Sequence, residues 1–239
     1  QKGGIYVLAV LNTEQLENIR ISGDYWDLKE LQKAIEQLLH TSIENNCTNH
    51  VQKNYVLRFC RELEQAIEGE VAIETTYNGI YDELQEEFVI PFPQENIYFS
   101  FEKCWPKMLF TVLCLNHFIE ETTTHKEQPF TQTHIMVIRK FESLVFECFT
   151  SKITLINKSQ IATLFFSAPH DFRQFIAQYV DLITAKYLAL PQETKMIYLP
   201  HILKKFHIRD FEYTCFKNML NRTAKESNLP IHRIVLQAD

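Results

Sequence analysis

Two aspartates three residues apart flank an aromatic pair in ISGDYWDLKEL, residues 21–31. Asp24 and Asp27, with Tyr25 and Trp26 between them, have the residue types of an acid–base pair beside an aromatic wall. Carboxylates that share such chemistry sit across a cleft, roughly 5–9 Å apart, on either side of the reacting bond. A three-residue spacing ahead of an apolar-periodic run points instead to a helix start. In that reading Asp27 is the cap, and Glu30 reaches back as its reciprocal carboxylate. Gly23 turns the chain from strand into helix, and Tyr25 or Trp26 packs back as a hydrophobic staple. Capping accounts for every residue of the stretch. A hydrolase site around Asp24, Trp26 and Asp27 is the rival expectation.

Other catalytic or metal-binding patterns are missing from the sequence. The nine histidines form no HExxH, ExxH or HxH pattern, and the six cysteines form no CxxC, so no metal site is expected. Cys114 and His117 share a helix face and could form a nucleophile–base pair. Their surroundings, MLFTVLCLNHF, are core-like, and a buried thiol is inert. With five glycines the chain assembles no GxSxG, GxGxxG or P-loop, so no cofactor is expected either. NCT at 46–48 matches a glycosylation acceptor but carries no weight in a chain read as cytoplasmic.

The cytoplasmic expectation rests on reduced-looking cysteines and the lack of a secretory n-region before an apolar segment. The leading Gln reads as a trimmed end. The longest strongly apolar run, MLFTVLCL, is too short to span a bilayer, so no membrane partner is expected. A composition of 46% hydrophobic and 23% charged residues is that of a globular chain and excludes disorder, collagen and coiled coil. Average usage would give about 17 glycines. Scarce glycine and 13% aromatics favour helices with aromatic packing between them.

Charge is unevenly spread. Residues 195–233 carry eight basic against three acidic side chains in a chain of net charge −6. A basic segment on an acidic body suits an anionic partner. The order helix, HIRD turn, helix, strand is compatible with a helix-turn-helix whose reading helix is FEYTCFKNMLNRTAKESN. Lys204, Lys205, Arg209, Lys217, Arg222 and Lys225 are the candidate nucleic-acid contacts. Phe211, Cys215, Phe216, Met219 and Leu220 are expected to pack inward. The alternative is that these cations pair with the acidic body in cis.

The elements that must position these residues follow from periodicity. IYVLAVL (5–11), NIRIS (18–22), VAIETTY (71–77) and NIYFSFEK (96–103) read as strands, with a turn and a weaker return strand at Asn78-Gly79. Helices are expected at 28–40, 51–69, 105–121, 133–149, 157–170 and 171–188, the last capped by Asp171, and two more follow Pro191. TSIENNCTN and 121–133 read as polar connectors, and PIHRIVLQ as a closing strand.

Two resemblances attach to these segments. GDYWDLKEL with NIYFSFEKCWPKMLFTVLCLNHFI (96–119) resembles an uncharacterised bacterial domain-of-unknown-function family over about residues 5–150, which implies no activity. FKNMLNRTAKESNLPIHRI (216–234) is similar to the second helix and wing of winged-helix domains in plasmid replication initiators. Ser227 stands where those have an apolar residue.

The expected fold is α+β, predominantly α, with a small N-terminal sheet on a bundle of long apolar helices. Residues 1–155 form the α+β part and 156–239 a helical region packed on it. The favoured function is a non-enzymatic macromolecular-interaction module whose partner is another protein or a second copy. Nucleic-acid binding through 195–233 comes second and a hydrolase last.

Overall fold

The computed structural model describes residues 8–44, 50–78, 93–124, 132–151, 155–170, 172, 177–231 and 234. It is an α+β protein, mostly helical, with one four-stranded antiparallel sheet. β1 (Ala9–Asn12) and β2 (Asn18–Gly23) form a hairpin, followed by α1 (Tyr25–Glu44) and α2 (His50–Ile67). β3 (Ala72–Tyr77) and β4 (Glu95–Cys104) complete the sheet in the order β1-β2-β4-β3. Gly69, at φ 77°, closes α2 in the left-handed position that glycine takes after a helix. Asn78, after β3, donates its amide to the Gln94 carbonyl at 2.8 Å, so the two strands meet at that end. The expected return strand lies outside the described residues, as do 232, 233 and 235–237 of the expected closing strand, whose described residues Pro230, Ile231 and Ile234 are not in a strand.

β2 alternates as a strand covered on one face should, whereas β3 is exposed throughout. Ile19, Ile21 and Phe101 are buried beneath α1 and α2. On the other face Arg20 pairs with Glu102 at 3.1 Å and with Glu74 at 3.5 Å. β4 runs straight into α3 (Trp105–Thr124). This helix is apolar all round and sits centrally, with Met108, Leu109, Phe110 and Val112 fully enclosed. It contacts α1, α2, α4 (Thr133–Thr150), α5 (Leu155–Phe165), α6 (Gln178–Leu188) and α7 (Gln192–His207). α8 (Phe211–Ser227) is the last helix among the described residues. α6 starts later than expected, at Gln178, and its expected cap Asp171 lies outside the described residues.

The β1–β2 turn holds these layers together. Asn12 accepts from the Trp105 indole at 2.9 Å and donates to the Cys148 carbonyl at 3.3 Å, joining α3 to α4. Tyr187 on α6 donates to the Leu16 carbonyl at 2.5 Å, and Gln192 on α7 to that of Glu14 at 2.6 Å. Buried Lys195 pairs with Glu17 at 2.6 Å. Ties between the turn and the C-terminal helices thus cross residue 155.

One charge lies deep in the helical layer. Glu142 on α4 is fully buried. Its Oε2 takes a hydrogen bond from Arg139 at 2.7 Å, and Arg139 also donates to Asn116. Its Oε1 has no hydrogen-bond partner. Burial pushes the carboxyl up to about 7, because the loss of hydration outweighs the attraction and hydrogen bond of Arg139. A raised carboxyl stabilises the fold most below the unfolded value of 4.5 and loses that contribution as pH rises through about 7. Glu142→Gln is therefore expected to gain unfolding free energy relative to the wild type, on the order of 3 kcal/mol, between those two pH values. Urea titrations of both proteins across that range measure it, and parallel pH profiles would contradict it.

Candidate functional site

Asp24 follows the last residue of β2 and is the true cap of α1. Its Oδ1 accepts the Asp27 amide at 2.8 Å. The cap is thus Asp24, three residues earlier than the expected Asp27 with its reciprocal Glu30. The physical reason is reach: once Asp24 satisfies the third amide of the helix, Tyr25 and Trp26 become its first turn. They do not form a staple. Trp26 is 73% exposed and Tyr25 41%, with their rings edge to face at 5.0 Å. Gly23 permits the junction, since a Cβ there would lie 3.1 Å from the Asp27 Cβ.

Burial and then the repulsion of Asp24 raise the Asp27 carboxyl above its ordinary value, while the Asp24 and Leu8 amides and Lys140 pull it back. The Asp24 carboxylate is engaged with a backbone N–H group. The two carboxylates do not face each other across a cleft, so this geometry lacks the arrangement that glycosidase or paired acid–base chemistry requires.

The capped end opens onto a groove of about 440 Å³ between α1 and the start of α4. Trp26, Lys29, Glu30 and Lys33 line it from α1, and His134 and Val137 from α4. The sequence singled out Asp24, Trp26, Asp27 and Glu30, all of which border this groove. It did not reveal the α4 wall, because residues about a hundred positions apart come together only through helix packing. Lys29 donates to Gln32 at 2.9 Å and Gln32 to Glu36 at 3.0 Å, a polar chain along α1. The α1 wall thus alternates in charge, with one aromatic ring at its lip.

The remaining expected sites resolve differently. Cys114 is fully enclosed, and burial holds its thiol well above the ordinary value, so it is no nucleophile. His117 lies 3.2 Å from Glu121 instead. Among the described residues no three His, Cys, Asp or Glu side chains are placed to hold a metal ion. No described helix is long and apolar enough to cross a membrane.

The C-terminal cations are partly neutralised. Lys205 pairs with Asp210 at 3.0 Å and Glu212 at 2.7 Å, and Lys186 also reaches Glu212 at 2.7 Å. Burial alone would lower the Lys205 ammonium, but the hydrogen bonds it donates to Glu212 and Asp210 carry it above its ordinary range. Arg222 pairs with Glu226 at 2.9 Å, and Arg209 lies over the Tyr213 ring at 6.0 Å. Lys204 and Lys225 are exposed and Lys217 half-buried. Packing on α8 differs from expectation: Tyr213, Phe216 and Leu220 are buried, whereas Phe211, Cys215 and Met219 face solvent. Two apolar stripes at helical spacing compete along this helix, and only the position of α6 and α7 selects between them. At its start Asp210 accepts the Tyr213 amide at 2.9 Å.

The described residues form a mostly helical α+β fold with a capped helix end beside an open groove. The chain belongs to the family described as a domain of unknown function, DUF6904, which matches residues 8–239. The match extends well past residue 150 and takes in the C-terminal helices. No curated protein and no solved structure matches the chain.

Replacing Asp24 tests the cap directly. Asp24→Ala is expected to lose about 1 kcal/mol of stability and Asp24→Ser to keep most of it, because the hydroxyl still accepts the Asp27 amide. Urea midpoints of the two variants provide the comparison, and equal losses would remove the capping assignment.

Proposed function

We propose that this protein is a binding module that acts on a protein partner through the groove between α1 and α4, without catalysis. The observation that carries this reading is Trp26, 73% exposed at the groove's lip. Tryptophan is among the residues most enriched at the energetic centres of protein interfaces. Leaving one in water beside an open groove has no folding rationale here, since the helix is capped by Asp24 and buries its opposite face. The groove follows about three turns of α1, from Trp26 to Gln37, which at 1.5 Å per residue is roughly 16 Å. That length takes an amphipathic segment of a partner, with apolar anchors against Trp26 and Val137 and polar flanks against Lys29, Glu30 and Lys33.

Peptide display on the full chain tests the reading. Selected peptides should protect residues 24–37 and 133–137 from hydrogen exchange, and Trp26→Ala should weaken them at least about tenfold. Trp105 is fully buried, so fluorescence quenching of exposed indole reports Trp26. Binders whose footprint avoids the groove, or that ignore Trp26→Ala, would refute the proposal.

A further inference from the structure

The edge of the sheet carries a feature independent of the groove. β3 ends the strand order β1-β2-β4-β3, and among the described residues it pairs with β4 alone. All six of its residues are exposed. An edge strand presents a row of N–H and C=O groups, and proteins blunt such edges with short strands, lysine, proline or a bulge. The opposite edge, β1, is only four residues long. β3 has none of these devices. Its sequence AIETTY holds no Lys or Pro, and its register with β4 runs unbroken from Ala72 to Tyr77. Its one charge, Glu74, is already paired with Arg20 at 3.5 Å.

The register decides which backbone groups face outward. Asn78 donates its backbone amide to the carbonyl of Gln94, the residue directly across, so even-numbered positions turn their backbone groups toward β4. The odd positions Ile73 and Thr75 therefore turn theirs away from the sheet. The side chains of Ile73 and Tyr77, with Ile97 beside them on β4, are each at least half exposed on one face.

We infer that β3 is the contact of a homodimer, in which it pairs antiparallel with β3 of a second copy about a two-fold axis at Thr75. The pairing joins two four-stranded sheets into one. A two-fold interface requires that if residue i meets residue j, then j meets i. Because odd positions face outward and even ones do not, the axis passes through a residue and not between two. An axis at Glu74 would set Glu74 against its own copy, and like charges directly opposite repel. An axis at Thr76 would leave Ile73 without a facing residue in the strand. The axis at Thr75 sets Ile73 against Tyr77, Thr75 against Thr75 and Glu74 against Thr76. Aromatic–β-branched and Thr–Thr pairs are favourable across strands, and no like charges meet. The two copies of Thr75 exchange a pair of main-chain hydrogen bonds at the axis. β3 is thus complementary to itself in backbone, side-chain type and charge. A single strand pair falls at the small end of stable interfaces, so the dimer is a weak one.

Sedimentation equilibrium of the full chain, from micromolar to several hundred micromolar, measures the association. The expected result is a monomer–dimer equilibrium that Thr75→Pro weakens at least about tenfold, because both main-chain bonds at the axis lose their donor. Its urea midpoint should stay unchanged, since an edge strand tolerates proline where the lost N–H faced solvent. Thr75→Lys, which sets like charges at the axis, should also weaken the dimer without changing the midpoint. Register is read by cross-linking in a Cys215→Ala background, with that protein as the control. Thr75→Cys should form a disulfide with its own copy on oxidation, because the Cα atoms of a hydrogen-bonded pair lie about 5.5 Å apart. Ile73→Cys should not, since its two copies lie four residues apart along the strands, roughly 13 Å. A chain that stays monomeric throughout, a dimer indifferent to both Thr75→Pro and Thr75→Lys, or Ile73→Cys linking as well as Thr75→Cys would each overturn the inference. So would displayed peptides that protect residues 72–77 on a monomeric chain, which would put a foreign strand on the edge.

Discussion

The turn between β1 and β2 is the point on which the layers of this protein converge. A tight turn leaves backbone carbonyls that cannot all be satisfied locally, and a buried orphan costs about as much as a lost hydrogen bond. Here Leu16 and Glu14 offer theirs to Tyr187 and Gln192. Asn12 serves the Trp105 indole and the Cys148 carbonyl together. Satisfying one five-residue turn and the Asn12 that precedes it therefore fixes the sheet against α3, α4, α6 and α7. The central helix can then be apolar on every side, because neighbours from both halves of the chain enclose it.

Against that rigid frame the two exposed features differ in kind. The groove beside Trp26 is concave and mixed in charge, and its α1 wall starts at the Asp24 cap. The α8 face leaves Phe211, Cys215 and Met219 in solvent. Neither presents a metal cluster among the described residues. The basic C-terminal segment offers less free charge than its composition suggests, because Lys195 and Lys205 are held by Glu17, Asp210 and Glu212.

Periodicity and composition determined much of this by themselves. Alternation in NIYFSFEK specified a strand with Phe101 inward, since side chains on a pleated strand alternate faces whatever it pairs with. An all-apolar stretch after Trp105 specified a buried helix, since no other environment accepts it. The location of a capped helix end near residue 24 was also legible, though its register was not. Asp24 and Asp27 both satisfy the local pattern, and the choice fell to whichever carboxylate could reach an amide once β2 had ended.

Tertiary structure alone decided the rest. α8 carries two apolar stripes of similar spacing, and a linear chain holds no record of which one α6 and α7 will cover. The groove's second wall comes from residues 133–137, about a hundred positions from the first, and distance of that kind is closed only by packing. Charge behaved likewise. The sequence fixes how many cations the C-terminal segment holds, but pairing depends on which carboxylates the fold brings within about 4 Å.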